Sequence, residues 1–318
     1  MSAATAALRR IGFSREVVLL GVLIVLMIVM SLLSPLFLTL GNLLNTSRFF
    51  VEVGLMALGM TLIIITGGID LSVGSNLALV SVAVGFSYAA GLPLPLAIVF
   101  GLVVGLAAGL FNGLFITLLD LHPLVVTLGT FALFQGLAYG LSKAEAVSDF
   151  PGWFAYFGQA YFGPVPGQLF IFIVAVVVVW LILARTRFGR YVYAIGNNEE
   201  AAHFSGVPVR RVKLALYSGI GLLVGMAAVI YTSRVYTARG DSGLGLELDV
   251  ISAVVLGGAS IYGGSGTIGG TVLGVLIIAT LRNGLVLAGV PSTWQVFVLG
   301  VLLLVAVFLN EFFRRRED

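Results

Sequence analysis

The stretch 66-TGGIDLSVGS-75 places one acid, Asp70, among glycines and serines. Its neighbours are of a different kind. "VGLMALGMTLIII" (53–65) runs up to it and "NLALVSVAVGFSYAA" (76–90) leaves it. Two apolar helical runs joined by a polar, glycine-rich break suit a lipid surround better than water. The whole chain agrees: of 318 residues, 59% are hydrophobic and only 10% charged, against about 25% charged in soluble domains. So few charges cannot cover a wetted surface. Val17 to Met30 continues with few breaks to Phe37, and Leu169 to Ala184 is unbroken; apolar runs of about 18 residues read as membrane helices. The expected fold is an all-α, multi-pass integral membrane protein.

Charge placement orients it. Arg9, Arg10 and Arg15 precede the first span. Arg185, Arg187, Arg190, Arg210, Arg211 and Lys213 lie in one central loop, and Arg314, Arg315 and Arg316 end the chain. The positive-inside rule puts all three clusters in the cytoplasm, so the span number is even. "SLLSPLF" (31–37) offers no small-residue cleavage site, and the first segment is expected to be a retained span. Spans are expected near 17–37, 48–66, 72–90, 93–119, 123–142, 167–184, 213–234, 249–263, 265–288 and 293–311, ten in all. They define a cytoplasmic segment 1–16, a membrane domain 17–311 with a cytoplasmic loop 185–212, and a tail 312–318. "LGGASIYGGSGTIGG" (256–270) leaves open whether 249–288 holds two spans or a re-entrant hairpin plus one span. Non-helical backbone is tolerated at that depth only inside protein or beside water. The longest external loop, 143–166, carries "PGWFAYFGQAYFG" (151–163), read as a short interfacial helix or as a platform for an external protein.

Glycine has two expected uses. Gly101, Gly105, Gly109 and Gly113 recur every fourth residue and mark a smooth face for close helix approach, as do Gly221 with Gly225 and Gly270 with Gly274. Gly67–Gly68 and Gly263–Gly264 instead precede helices and permit turns. "GGIDLSVGSNLALVSV" and "GGSGTIGGTVLGVLII" are loosely alike, as internal repeats or as unrelated glycine turns.

Several chemistries are unsupported. The chain has no cysteine, which removes disulfides, thiolate catalysis and cysteine metal sites. His122 and His203 stand far apart, and neither a metal set nor a cofactor is expected. An intramembrane enzyme would need paired carboxylates or a Ser/His dyad, and an ion-coupled carrier or channel would need an ion-binding constellation; neither pattern is evident. No G-x-x-x-x-G-K-[ST] loop is present for nucleotide phosphates, so energy for active transport would come from another subunit. An intramembrane acid is a functional candidate by default. Asp70 is read either as the N-cap of a helix starting at Leu71 or as a contact to a solute or ion. Glu52 is expected to pair with Arg48 one turn earlier. Asn76, Asn112 and Gln135, with Thr127, Thr130, Asn283 and Gln295, either line a path for a hydroxylated solute or bond neighbouring helices. In the central loop Asn198 is a good N-cap. Glu199 and Glu200 suit the first turn, Ala201 and Ala202 favour helix, and Gly206 and Pro208 end it. The outcome is a compact helix below the membrane, read either as an ordered loop helix with no partner or as a knob that docks into a motor subunit and passes on a rigid-body push.

Three segments, "GMTLIIITGGIDLSVGS" (59–75), "RFGRYVYAIGNNEEAAHFSGVPVRRVK" (187–213) and "LDVISAVVLGGASIYGGSGTIGGTVLG" (248–274), resemble the permease family of bacterial ATP-binding-cassette importers for monosaccharides, the ribose type, over about residues 15–310. Asp70–Leu71–Ser72 favours the sugar branch over the branched-chain amino acid branch. "HPLVVTLGT", "FGPVPGQL" and "IYGGSGTIGGT" are similar to the rhamnose or autoinducer-2 permeases. The resemblance implies a non-enzymatic subunit of the bacterial inner membrane. Its partners would be a second permease, identical or not, two cytoplasmic ATPase domains, and a periplasmic or lipid-anchored binding protein; no nucleic acid is involved. It implies a coupling helix at Asn198, Glu199, Glu200, Ala201, Ala202, Ser205 and Gly206. It also implies a family signature at Gly67, Gly68, Asp70 and Ser72. The segment 235–248, with Arg239, Asp241 and Glu247, is the candidate contact for the binding protein.

Overall fold

A computed structural model describes residues 15–314 of the chain. Arg9, Arg10, Arg315 and Arg316, four of the positions used to orient the chain, lie outside the described residues. Thirteen α-helices are present among those described: α1 (Arg15–Leu33), α2 (Leu40–Ile65), α3 (Val73–Ala89), α4 (Leu94–Leu118), α5 (Pro123–Ser142), α6 (Tyr156–Gln159), α7 (Gly167–Arg185), α8 (Arg187–Asn197), α9 (Glu199–Phe204), α10 (Val209–Val235), α11 (Leu246–Leu256), α12 (Ile268–Leu287) and α13 (Ser292–Arg314). Four two-residue strands make two small antiparallel ribbons. Ala146–Val147 pairs with Ala238–Arg239, and Tyr161–Phe162 with Val165–Pro166. Seven helices, α1, α2, α4, α5, α7, α10 and α12, are long and apolar enough to cross a membrane.

α2 is the axis of the bundle. Every residue from Val51 to Ile65 is buried, enclosed by α7, α10, α11 and α12. The peripheral helices are apolar outward as well as inward: Val99, Phe100 and Val103 on α4, and Ile173, Val174 and Val177 on α7, are exposed. That pattern fits a lipid-facing perimeter. The closest helix seam joins α4 to α10. Its cause is the four-residue glycine spacing. A Cβ on Gly109 would strike the carbonyl oxygen of Tyr217, and one on Gly105 would lie 2.7 Å from the carbonyl oxygen of Gly221. Backbone therefore meets backbone, as the glycine pattern predicts. Gly270 and Gly274 do the same for α12 against Gly257 and Ala253 of α11.

Two expectations need correction. The helix expected to begin at Leu71 begins at Val73, because 66–72 is used to reverse the chain. The segment 249–263 is not one full span. It holds the 11-residue α11, which stops at Leu256, and then a non-helical stretch over 257–267. At 1.5 Å per residue α11 is about 16 Å long, roughly half of a ~30 Å hydrocarbon core. In the loop 143–166 a 3-10 turn (Gly152–Ala155) runs directly into the single-turn α6, giving a short helical stretch over 152–159.

The segment before α11 runs inward along α3. Ala238 packs at Gly85, whereas Gly243 and Glu247 pack at Gly74, eleven residues and about 16 Å lower. α11 thus starts about 16 Å along α3 from the ribbon of Ala146–Val147 with Ala238–Arg239.

Replacing Gly109 by Ala forces the α4–α10 seam apart. A loss of about 1–3 kcal/mol is expected, read as a lowered unfolding temperature in detergent. Gly129, mid-helix with no atom near its Cβ position, serves as the control, and Gly129→Ala should lose no stability and gain up to about 1 kcal/mol from helix propensity.

Candidate functional site

The break between α2 and α3 is a buried polar knot. α2 ends at Ile65 with the Thr66 and Gly67 amides bonded back to Ile63 and Ile64 carbonyls. Gly67 then takes φ +77, which glycine adopts at no steric cost. Asp70 is 2% exposed. Its Oδ1 accepts from the Ser72 amide (2.9 Å) and the Ser72 hydroxyl (2.6 Å). The acid therefore binds two residues ahead instead of capping the helix itself, an Asx turn. Asn112 of α4 donates to Ser72 Oγ at 2.8 Å, and Thr127 of α5 donates to the Ile69 carbonyl at 3.1 Å. The signature thus ties α3, α4 and α5 together. Tyr217 of α10 completes the cluster, its hydroxyl 2.8 Å from where a Gly68 Cβ would stand. Sequence reading missed Tyr217, since an aromatic in an apolar span carries no signal of a buried hydroxyl.

The other expected pathway amides do not gather at this knot. Asn76 donates to the Gly105 carbonyl at 3.4 Å, and Gln135 to the Gly240 carbonyl at 2.6 Å. Gln135 thereby ties α5 to the segment that descends along α3. The Asn76, Asn112 and Gln135 side-chain oxygens and the Tyr217 hydroxyl have no hydrogen-bond partner among the described residues.

The expected Glu52–Arg48 pair is absent. Glu52 is paired instead with Arg234 of α10, Nε to Oε1 at 2.7 Å, and Arg234 also stacks on Phe49 and Tyr231. Arg48 turns outward to Tyr161 Oη (3.2 Å) and the Gly158 carbonyl (3.4 Å). The reason is burial: Glu52 faces the interior at 1% exposure, where a long arginine from the facing helix can reach it. A second pair, Arg282–Asp249 at 2.7 Å, joins α12 to α11. Two opposite charges in neighbouring apolar segments were the available signal for it.

Of the external candidates, Arg239 and Asp241 form an exposed ion pair at 2.7 Å. Glu247 is not beside them; it sits against Gly74 and accepts from the Gly245 amide at 3.1 Å.

On the opposite side lie α8 and α9. Asn198 caps α9, its Oδ1 accepting from the Ala201 amide at 2.8 Å, with Glu199 and Glu200 in the first turn. Lys213 of α10 bonds Glu199 at 2.6 Å. Ser205 is the C-cap, and Gly206 follows with φ +84. Glu200 and His203 are exposed, whereas Ala202 is buried. α8 presents Gly189, Val192 and Ile195 inward and Arg187 and Arg190 outward.

The described residues thus form a bundle whose seven longest apolar helices could cross a membrane, with a half-length helix, a buried polar break and a small exposed helix. The chain belongs to the family of permease components described by the branched-chain amino acid transport system, whose model matches residues 42–307. The ribose import permease protein RbsC of Bacillus subtilis (strain 168) is 46% identical over 290 residues, 91% of this chain and 90% of the relative. The autoinducer 2 import system permease protein LsrD of Escherichia coli (strain K12) is 39% identical over 304 residues, 94% and 92% respectively. No solved structure matches. The protein is a transport subunit and not an enzyme.

Two substitutions probe the buried charges. Arg234→Met leaves Glu52 uncompensated and is expected to cost about 3–5 kcal/mol, most of it recovered in the Glu52→Gln/Arg234→Met double variant. Asp70→Ala strips the Ser72 donors of their acceptor and should cost about 1–3 kcal/mol, while Asp70→Asn retains an acceptor oxygen and should cost less. Unfolding in detergent measures both sets.

Proposed function

We propose that this chain is the membrane subunit of an ATP-binding-cassette importer in a bacterial inner membrane, moving a ribose-like or autoinducer-2-like solute. The carrying observation is similarity along more than nine-tenths of the chain to import permeases for those two solutes. In this reading the chain passes the membrane ten times with both ends in the cytoplasm. α3, α11 and α13 supplement the seven long helices, and the passage of α11 is completed by the non-helical stretch 257–267. Two permeases, the same or different, assemble with two cytoplasmic ATPase domains and an external solute-binding protein.

α9 is the docking helix for the ATPase. Its support is physical. It is short, capped at both ends, exposed at Glu200, and fixed to α8 and α10. Such a unit transmits a push with little loss to internal bending. Arg239 and Asp241 belong to the outer surface offered to the binding protein. No residue acts as a catalyst, and specificity lies in what the binding protein delivers together with the polar groups along the route. An ion-coupled carrier is the weaker reading, because the buried pairs Glu52–Arg234 and Asp249–Arg282 already satisfy two of the intramembrane acids.

The test is reconstitution in vesicles. The chain alone should accumulate neither D-ribose nor autoinducer-2. With its ATPase and binding protein it should import one of them on ATP addition. Glu200→Arg, on an exposed position, should leave the fold intact and lower solute moved per ATP at least tenfold. Ala202 is a poorer probe, since a bulky replacement there would unseat the helix from within. Gradient-driven accumulation by the chain alone would overturn the proposal.

A further inference from the structure

α8 stands between α9 and both helix breaks. Gly196, near its C-terminal end, touches the Ile65 carbonyl that ends α2, and its Cβ position lies 2.6 Å from the Gly264 amide. That carbonyl and that amide are themselves bonded, Gly264 N–H to Ile65 O at 2.9 Å. The two glycine pairs noted in the sequence therefore meet here: a Cβ on Gly263 would lie 3.1 Å from Gly67 N and 2.8 Å from Gly196 O. Each pair is followed by a helix, α3 after one and α12 after the other. One turn before Gly196, the Tyr193 hydroxyl donates to the Gly266 carbonyl at 2.7 Å.

From these contacts we infer that Gly196 and Tyr193 are positioning residues of the transport cycle, carrying displacement of the α8–α9 unit to the 66–72 and 257–267 breaks together. The inference rests on α9 as the site where force enters. Three features support it. First, α8 and α9 are separated by Asn198 alone, whose amide bonds the Ala194 carbonyl and whose own carbonyl accepts from Ala202, so they form one stiff hook. Second, the Gly196 seat has no side chain to absorb motion, and a shift of a few tenths of an ångström at α8 changes the Ile65–Gly264 bond directly. Third, the Tyr193 hydroxyl bond to the Gly266 carbonyl and the Gly196 seat at Gly264 hold the same end of α8 to the 257–267 break at two points. A coupling route is credible when a two-state element lies on it. The element to be biased is the pair of irregular segments, each built on glycine and joined by the Ile65–Gly264 bond.

The test uses the assembled transporter in nanodiscs, with amide hydrogen exchange followed by mass spectrometry, with and without ATP plus vanadate. In wild type, exchange in 63–72 and in 255–267 should change together, by at least threefold in rate. Tyr193→Phe removes a single hydroxyl and should keep the α9 response while reducing the 255–267 change at least twofold. Gly196→Ala should abolish the joint response. A folded Tyr193→Phe transporter with the wild-type concerted change would overturn the inference and leave the functional proposal standing, even where Gly196→Ala fails to assemble. No ATP-dependent change anywhere in the wild type would defeat the functional proposal and this inference with it.

Discussion

In an apolar surround every backbone N–H and C=O must find a partner within the protein. Continuous helices meet that demand by themselves. A helix that stops part-way does not, and this chain stops two of them inside its core, after Ile65 and after Leu256. Much of the remaining architecture follows from how those loose ends are satisfied. The first break folds back on its own carbonyls and uses Asp70, Ser72, Asn112 and Thr127 to bond what is left. The second reaches across to the first, through Gly264 and Ile65, and to α8 through Tyr193. The breaks are thus held by each other, which makes them a joint rather than two independent loops.

Glycine makes that joint compact. The same residue serves the opposite purpose on α4 and α10, where its lack of a side chain fuses two long helices into a seam. In the proposed transport cycle the seam would move as a rigid unit and the joint would be the part that changes. The permease family to which the chain belongs gives that mechanical contrast its meaning.

Charge is treated economically. Asp249 and Glu52 each have an arginine from a facing helix, and Asp70 has the hydroxyl and backbone N–H of Ser72 instead. Burying a carboxylate without such partners costs several kcal/mol. The partners could not be chosen from sequence spacing. Arg48 lies one turn from Glu52, yet the interior direction of Glu52 selects Arg234, 182 positions away.

Composition, apolar run length and the periodic glycines by themselves determined that this is a helical membrane protein, where its long helices lie, and which helix faces approach closely. These properties depend on the solvent and on neighbours within a turn or two, so local sequence suffices. The capped helix at Asn198 was legible for the same reason. Tertiary structure alone decided that α11 ends half-way, which arginine meets Glu52, that Glu247 lies inward of Arg239 and Asp241, and that the two glycine pairs meet at Gly196. Each of those depends on which distant backbone arrives to satisfy a buried polar group, and chain position does not record that distance in space.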